Sequence, residues 1–148
     1  MLRPTNILVP TDFSEYSDRA LRQALDIAKQ YGSKIYILHV LPEEVYHVGE
    51  LVDFTGDTLQ TIEKNKLATA KENLKKQLDK FPVAKETEVV ADVKKGLCYE
   101  AILEEAAQRS IDLIVIASLG QSGIAKYLIG SVARNVLKGA KCPVLLTK

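Results

Sequence analysis

Five short runs rich in branched apolar residues punctuate this chain, and the stretches between them repeat their apolar residues at helical spacing. Asn6-Ile7-Leu8-Val9 ends at Pro10, and Lys34 to Val40 forms the second run. Thr87 to Ala91 is a short third run, Ile111 to Ile116 the fourth, and Cys142 to Thr147 the last. The first and fourth lack a polar face, which a strand needs only when it is covered on both sides. Strands of that kind belong to parallel sheets joined by crossover helices.

The intervening stretches supply the helices. Ser14 is placed to cap the first, with Glu15 and Asp18 near its positive end. Ala20, Leu21, Ala24, Leu25 and Ala28 then give one apolar face, ending near Tyr31-Gly32. Leu59, Ile62, Leu67, Ala70, Leu74, Leu78 and Phe81 make a second stripe, with Asp57 or Thr58 as its cap and Pro82 as its stop. Ala101, Ile102, Ala106 and Ala107 mark the buried side of a third helix, which follows Lys95-Gly96. Val132, Val136 and Leu137 face inward on a fourth, with Asn135 and Lys138 outside and Gly139 closing it. Leu41 to Gly56 follows no clear period and reads as a long loop. The alternation predicts an α/β fold over 1–148 as a single domain. Its core is a doubly wound five-stranded parallel sheet, strand order 3-2-1-4-5, with helices on both faces.

Charge demotes one class of function without excluding it. Lys and Arg total 20 against 19 Asp and Glu, a formal net charge of +1, and no basic stripe stands out. The electrostatic footprint of a nucleic-acid binder is therefore missing. The lysines at 64, 66, 71, 75, 76 and 80 read as the solvated back of the second helix rather than a membrane or polyanion surface. Cys98 and Cys142 lie far apart without a C-x-x-C partner, and the histidines are His39 and His47 alone. That composition gives two reduced thiols and no metal site. The N-terminus runs almost directly into a strand, with no signal-peptide stretch, and no segment reaches the ~20 apolar residues of a membrane span. The expectation is a cytoplasmic protein with no membrane contact.

The stretch with chemical content is Ala117 to Ser131, A-S-L-G-Q-S-G-I-A-K-Y-L-I-G-S. A buried strand, a glycine-punctuated loop and a helix N-terminus in that order make an anion site, because the first amides of a helix lack internal partners. In a sheet of this order, ligands bind where the strand order reverses, between strands one and four. Pro10-Thr11-Asp12 and Ala117 to Gly120 meet there. Gly120, nine residues, then Gly130-Ser131 fits the second half of G-x2-G-x9-G-[S/T], with Ala117 in the place of its first glycine.

That spacing resembles the universal stress protein family, as do I-L-V-P-T-D-F-S near the start, L-H-V, D-L-I-V-I and the closing G-S-V-A-R-N-V-L-K-G-A-K-C-P-V-L-L. The resemblance covers nearly the whole chain. It implies ATP or a related adenine nucleotide as ligand, with or without Mg²⁺ or Mn²⁺. Pro10, Thr11, Asp12 and Val40 would form the adenine and ribose side, and Gly120, Gly130, Ser131 and Val132 the phosphate side. Ile116, Ala117 and Leu119 complete the candidate set. It also implies a homodimer through the last strand, Val144 to Thr147, and a protein partner of unknown identity.

Each role has a plainer counterpart. Asp12 either offers acceptors to a ribose or amine, or closes an Asx turn. Gly123 and Gly130 either admit phosphates or serve as turn glycines, Ser131 either binds or caps, and Lys126 is a phosphate partner or an exposed lysine. His39 reads as packed or edge-exposed rather than catalytic. If Ala117 is extended its methyl costs little; if it needs positive φ it costs roughly 1–2 kcal/mol. The chain has no Walker G-x-x-x-x-G-K-[ST], no G-x-G-x-x-G and no G-x-S-x-G. It carries no candidate catalytic residue, and the resemblance implies at most slow ATP hydrolysis. The alternative function is a dimeric scaffold that has lost its nucleotide.

Overall fold

The computed structural model describes residues 3–43, 56–120 and 129–148, and of residues 56 and 57 the backbone only. In chain order the elements are β1 (Asn6–Pro10), α1 (Glu15–Tyr31), β2 (Lys34–Leu41), α2 (Gly56–Asp79), a 3-10 helix (Pro82–Glu86), β3 (Val89–Lys95), α3 (Cys98–Gln108), β4 (Leu113–Ala117), α4 (Ser131–Gly139) and β5 (Val144–Thr147). The five strands form one parallel sheet in the order β3-β2-β1-β4-β5. That is the order expected from the sequence.

Strand alternation divides the core in two. Ile7, Val9, Ile35, Ile37, Leu113 and Val115 pack against α1 and the second half of α2. Leu8, Tyr36, Leu38, Ile114 and Ile116 pack against Ile102 of α3 and Ala133 and Val136 of α4. The helix starts explain themselves locally. Ser14 caps α1 by accepting from the Ser17 amide, and Gly32 ends it in the left-handed region at φ 69°.

Several boundaries differ from the sequence expectation. β3 begins at Val89 rather than Thr87 and continues to Lys95, paired with β2 as far as Leu41. It is an edge strand, so Asp92, Lys94 and Lys95 reach solvent and disguise it as a loop. α2 is under way at Gly56, which puts Asp57 and Thr58 inside the helix rather than at its cap. It stops at Asp79, and Phe81 is buried from the turn beyond, ahead of the 3-10 helix that Pro82 opens. Leu67 is exposed. On α3, Ala107 is exposed and Glu105 is the buried residue instead, held by Arg109 Nε at 3.1 Å and Lys94 Nζ at 3.2 Å. On α4, Leu137 is exposed and Ala133 takes the inward position. Most of the Leu41–Gly56 stretch falls outside the described residues.

Candidate functional site

Parallel strands bring all their carboxyl ends to one edge of the sheet, and the order reverses between β1 and β4. A crevice of about 360 Å³ opens at that point, within the roughly 300–1,000 Å³ of small-molecule sites. β1 and its turn contribute Pro10, Thr11 and Asp12, and β2 contributes Val40. Ile116 and Ala117 end β4, Leu119 and Gly120 follow it, and Gly130, Ser131 and Val132 begin α4. These eleven candidate residues thus line this one cavity. Gly123 and Lys126 lie outside the described residues.

The turn after β1 is held from several sides. Alternation carries Thr11 onto the face of Ile7 and Val9, and Asp12 onto the opposite one. Thr11 Oγ1 lies 2.7 Å from Gln77 Oε1 and 3.0 Å from Ser17 Oγ, and it accepts from the Phe13 amide at 3.0 Å. Its hydroxyl is committed to the protein, so what Thr11 presents to a ligand is surface. The Thr11 carbonyl oxygen is 2.8 Å from His39 Nδ1. A carbonyl only accepts, so Nδ1 carries the proton. The His39 ring stacks on Phe13 with centroids 4.3 Å apart, and Phe13 itself has φ 65°. That is an uncommon backbone state for a bulky residue, and it falls one residue after Asp12.

Asp12 Oδ1 accepts from the Ser14 amide at 3.0 Å, the Asx turn of the plainer reading. Asp12 Oδ2 occupies the space in front of Gly120, where an added Cβ would come within 2.6 Å of it. A side chain at 120 would therefore have to displace the Asp12 carboxylate.

The N-terminus of α4 forms the opposite wall. Its N-cap is Gly130, not Ser131, and a glycine offers no side chain to the first-turn amides. The Gly130 amide donates to the Ser118 carbonyl at 2.7 Å, and the Ser118 amide donates to the Thr147 carbonyl at 2.8 Å. One residue, Ser118, therefore joins the cap of α4 to the end of β5 through the peptide groups on its two sides.

Ala117 falls in the extended case. It is the last residue of β4, and among the described residues the non-glycine positions with positive φ are Phe13 and Ser110. Its methyl packs with the α1-side core.

Several lining residues escaped sequence reasoning. Leu38, Ile102 and Ala133 line the cavity as core residues, and Ser17 and Ser118 as neighbours of turns. Cys98, the first residue of α3, also lines it, four residues before Ile102. That i, i+4 spacing was the available signal. A helix start ordinarily favours the thiolate, yet burial first, and then the charge of Asp12, push the Cys98 thiol above its usual pKa. Among the described residues no group of three or more metal-ligating side chains stands together, and no helix is long and apolar enough to cross a membrane.

The fold and crevice define a class: doubly wound α/β domains with a cavity at the topological switch point and a glycine-capped helix on one wall. Within that class, the chain belongs to the universal stress protein family, whose model matches residues 4–148. It is 32% identical to a universal stress protein of Methanocaldococcus jannaschii over 96% of this chain and 81% of the relative. Its structure is similar to that of the universal stress protein UspA from Lactobacillus plantarum, with TM-score 0.83, 26% identity and all of both chains covered. It is also similar to a universal stress protein solved in complex with cAMP, with TM-score 0.68 and 27% identity over 99% of this chain and 98% of that one.

Proposed function

We propose that the crevice binds an adenine nucleotide, ATP or a close relative, and that the protein acts as a dimeric module responding to the bound nucleotide. The observation that carries this is the glycine-capped start of α4 facing Asp12 and Gly120 across one cavity. First-turn amides with no capping side chain are donors for phosphate. Asp12 is an acceptor suited to ribose hydroxyls. Val40, Ile102 and Cys98 give the apolar surface that a base requires. The complex of a 27% identical relative with cAMP supports the same ligand class. A Mg²⁺ or Mn²⁺ ion would arrive on the phosphates, as such ions commonly do.

The scaffold reading drew its support from Ala117, and the extended backbone there removes the strain it needed. The test is native mass spectrometry of the purified protein, followed by calorimetric titration with ATP, ADP, AMP and cAMP, with and without Mg²⁺. Co-purified adenine nucleotide, or saturable binding at micromolar to submillimolar concentration, is expected. A clean dimer with no binding of any of the four up to millimolar concentration would return the scaffold reading to first place.

A further inference from the structure

We infer that Gln77, on α2 and outside the cavity, is a positioning residue for this site: it locks the Pro10–Phe13 turn in the form that presents Asp12. This rests on the nucleotide reading and adds a control element to it. Gln77 is a buried polar residue, 3% exposed. Its Oε1 lies 2.7 Å from Thr11 Oγ1, and its Nε2 donates to Ser17 Oγ at 3.2 Å and to Asp18 Oδ1 at 2.8 Å. The amide uses both protons and one acceptor position, so it fits in one orientation. Ser17 Oγ donates to the Ser14 carbonyl at 2.7 Å, which leaves it to accept from Gln77. The proton of Thr11 then goes to Gln77 Oε1.

The consequence reaches Asp12 through one turn of chain. Thr11 Oγ1, oriented by Gln77, accepts the Phe13 amide, and Asp12 Oδ1 accepts the next amide, that of Ser14. Phe13 between them sits at φ 65°, a state that persists only where its surroundings enforce it. Gln77 from α2 and His39 from β2 both act on Thr11, beside the bond of the Thr11 amide to the Leu38 carbonyl and the packing of Phe13 on the α1-side core. Released from Gln77, Thr11 can turn its hydroxyl, Phe13 can relax, and Asp12 loses its fixed direction toward Gly120. Asp18, the third partner of Gln77, pairs with Lys80, the residue after α2, at 3.0 Å, so the network runs from the cavity wall to the surface.

The experiment compares wild type with Gln77→Met, Thr11→Val and the double variant. Met keeps the length of the side chain and removes its hydrogen bonds, and the double variant removes both partners of the central bond. Nucleotide affinity is measured well below each melting temperature, together with amide hydrogen exchange at Phe13 and Ser14. Positioning predicts about ten-fold weaker binding for Gln77→Met, a double variant no weaker than the worse single one, and faster exchange at both amides. A lowered melting temperature with unchanged affinity and unchanged exchange would make Gln77 merely structural and overturn the inference. If wild type binds no nucleotide, the ligand reading fails separately, and the exchange at Phe13 and Ser14 still decides whether Gln77 holds the turn.

Discussion

At the residue scale, two positions turn the geometry into numbers. Ala117 stands where the motif carries glycine, yet it is extended and its methyl is packed in the α1-side core. Ala117→Gly therefore removes buried contact and adds freedom to the unfolded chain without relieving any strain. It should lower stability by about 0.5–1 kcal/mol and change nucleotide affinity by less than about three-fold, read by thermal melts and calorimetry. A gain of ten-fold or more would mean that the methyl obstructs the ligand. Cys98 reports on the same cavity chemically. Its thiol is held protonated by burial and, after that, by the charge of Asp12. Because the folded pKa is raised, the neutral thiol favours folding at low pH, and that contribution fades as pH rises past the ordinary thiol value. Asp12→Asn removes the second cause, so Cys98 should alkylate faster at pH 8, by a factor of a few, with burial still slowing it. Cys142, which faces a different groove, is the internal control. Equal rates in wild type and Asp12→Asn would separate the thiol from the carboxylate.

At the scale of elements, α4 decides the phosphate question, and Gly130 is its lever. An aspartate at an N-cap satisfies the first-turn amides itself and places negative charge where a phosphate would sit. Its Cβ would lie 3.2 Å from the Ser118 carbonyl oxygen, a contact that needs a small shift. Gly130→Asp should hold stability within about 1 kcal/mol while weakening nucleotide binding about ten-fold or more. Gly130→Asn, a cap without the charge, should fall between. Undiminished binding by the aspartate variant would move the phosphates away from α4. The order of elements was legible because β1 and β4 are apolar on both faces and α1 carries a capped, regular stripe. β3 was misjudged because edge strands tolerate Asp92, Lys94 and Lys95, and α2 was overextended because Phe81 is buried from a turn. The cavity walls were read from glycines and P-T-D, which have local signatures. Gln77 was not, since nothing in an alternating pattern of lysines and leucines announces a partner 66 residues away.

At the scale of the whole molecule, the sheet has two edges that differ in kind. β3 is guarded by Asp92, Lys94 and Lys95, the charges that discourage pairing with another copy. β5 reads Val144-Leu145-Leu146-Thr147, has no charge, and exposes Leu145. The carbonyls of Pro143 and Thr147 point into the sheet, accepting from Ile114 and Ser118 of the β4 side. By alternation the backbone groups of Val144 and Leu146 face outward, free of the β4 ladder. We propose a second copy of this chain as the occupant, the homodimer through Val144 to Thr147 that the family resemblance implies. Leu146→Pro removes one outward amide and leaves the ladder to β4 intact. It should convert a dimer into a monomer by light scattering, with retained helical circular dichroism showing that the fold survives. The backbone of Ser118 joins Thr147 to the cap of α4, so the two properties are expected to be linked. Whatever factor nucleotide adds to the dimerisation constant, dimerisation must add to nucleotide affinity. A Leu146→Pro protein that remains dimeric would place the interface elsewhere. A monomer that binds nucleotide as tightly as wild type would show that the Ser118 backbone transmits nothing between edge and site.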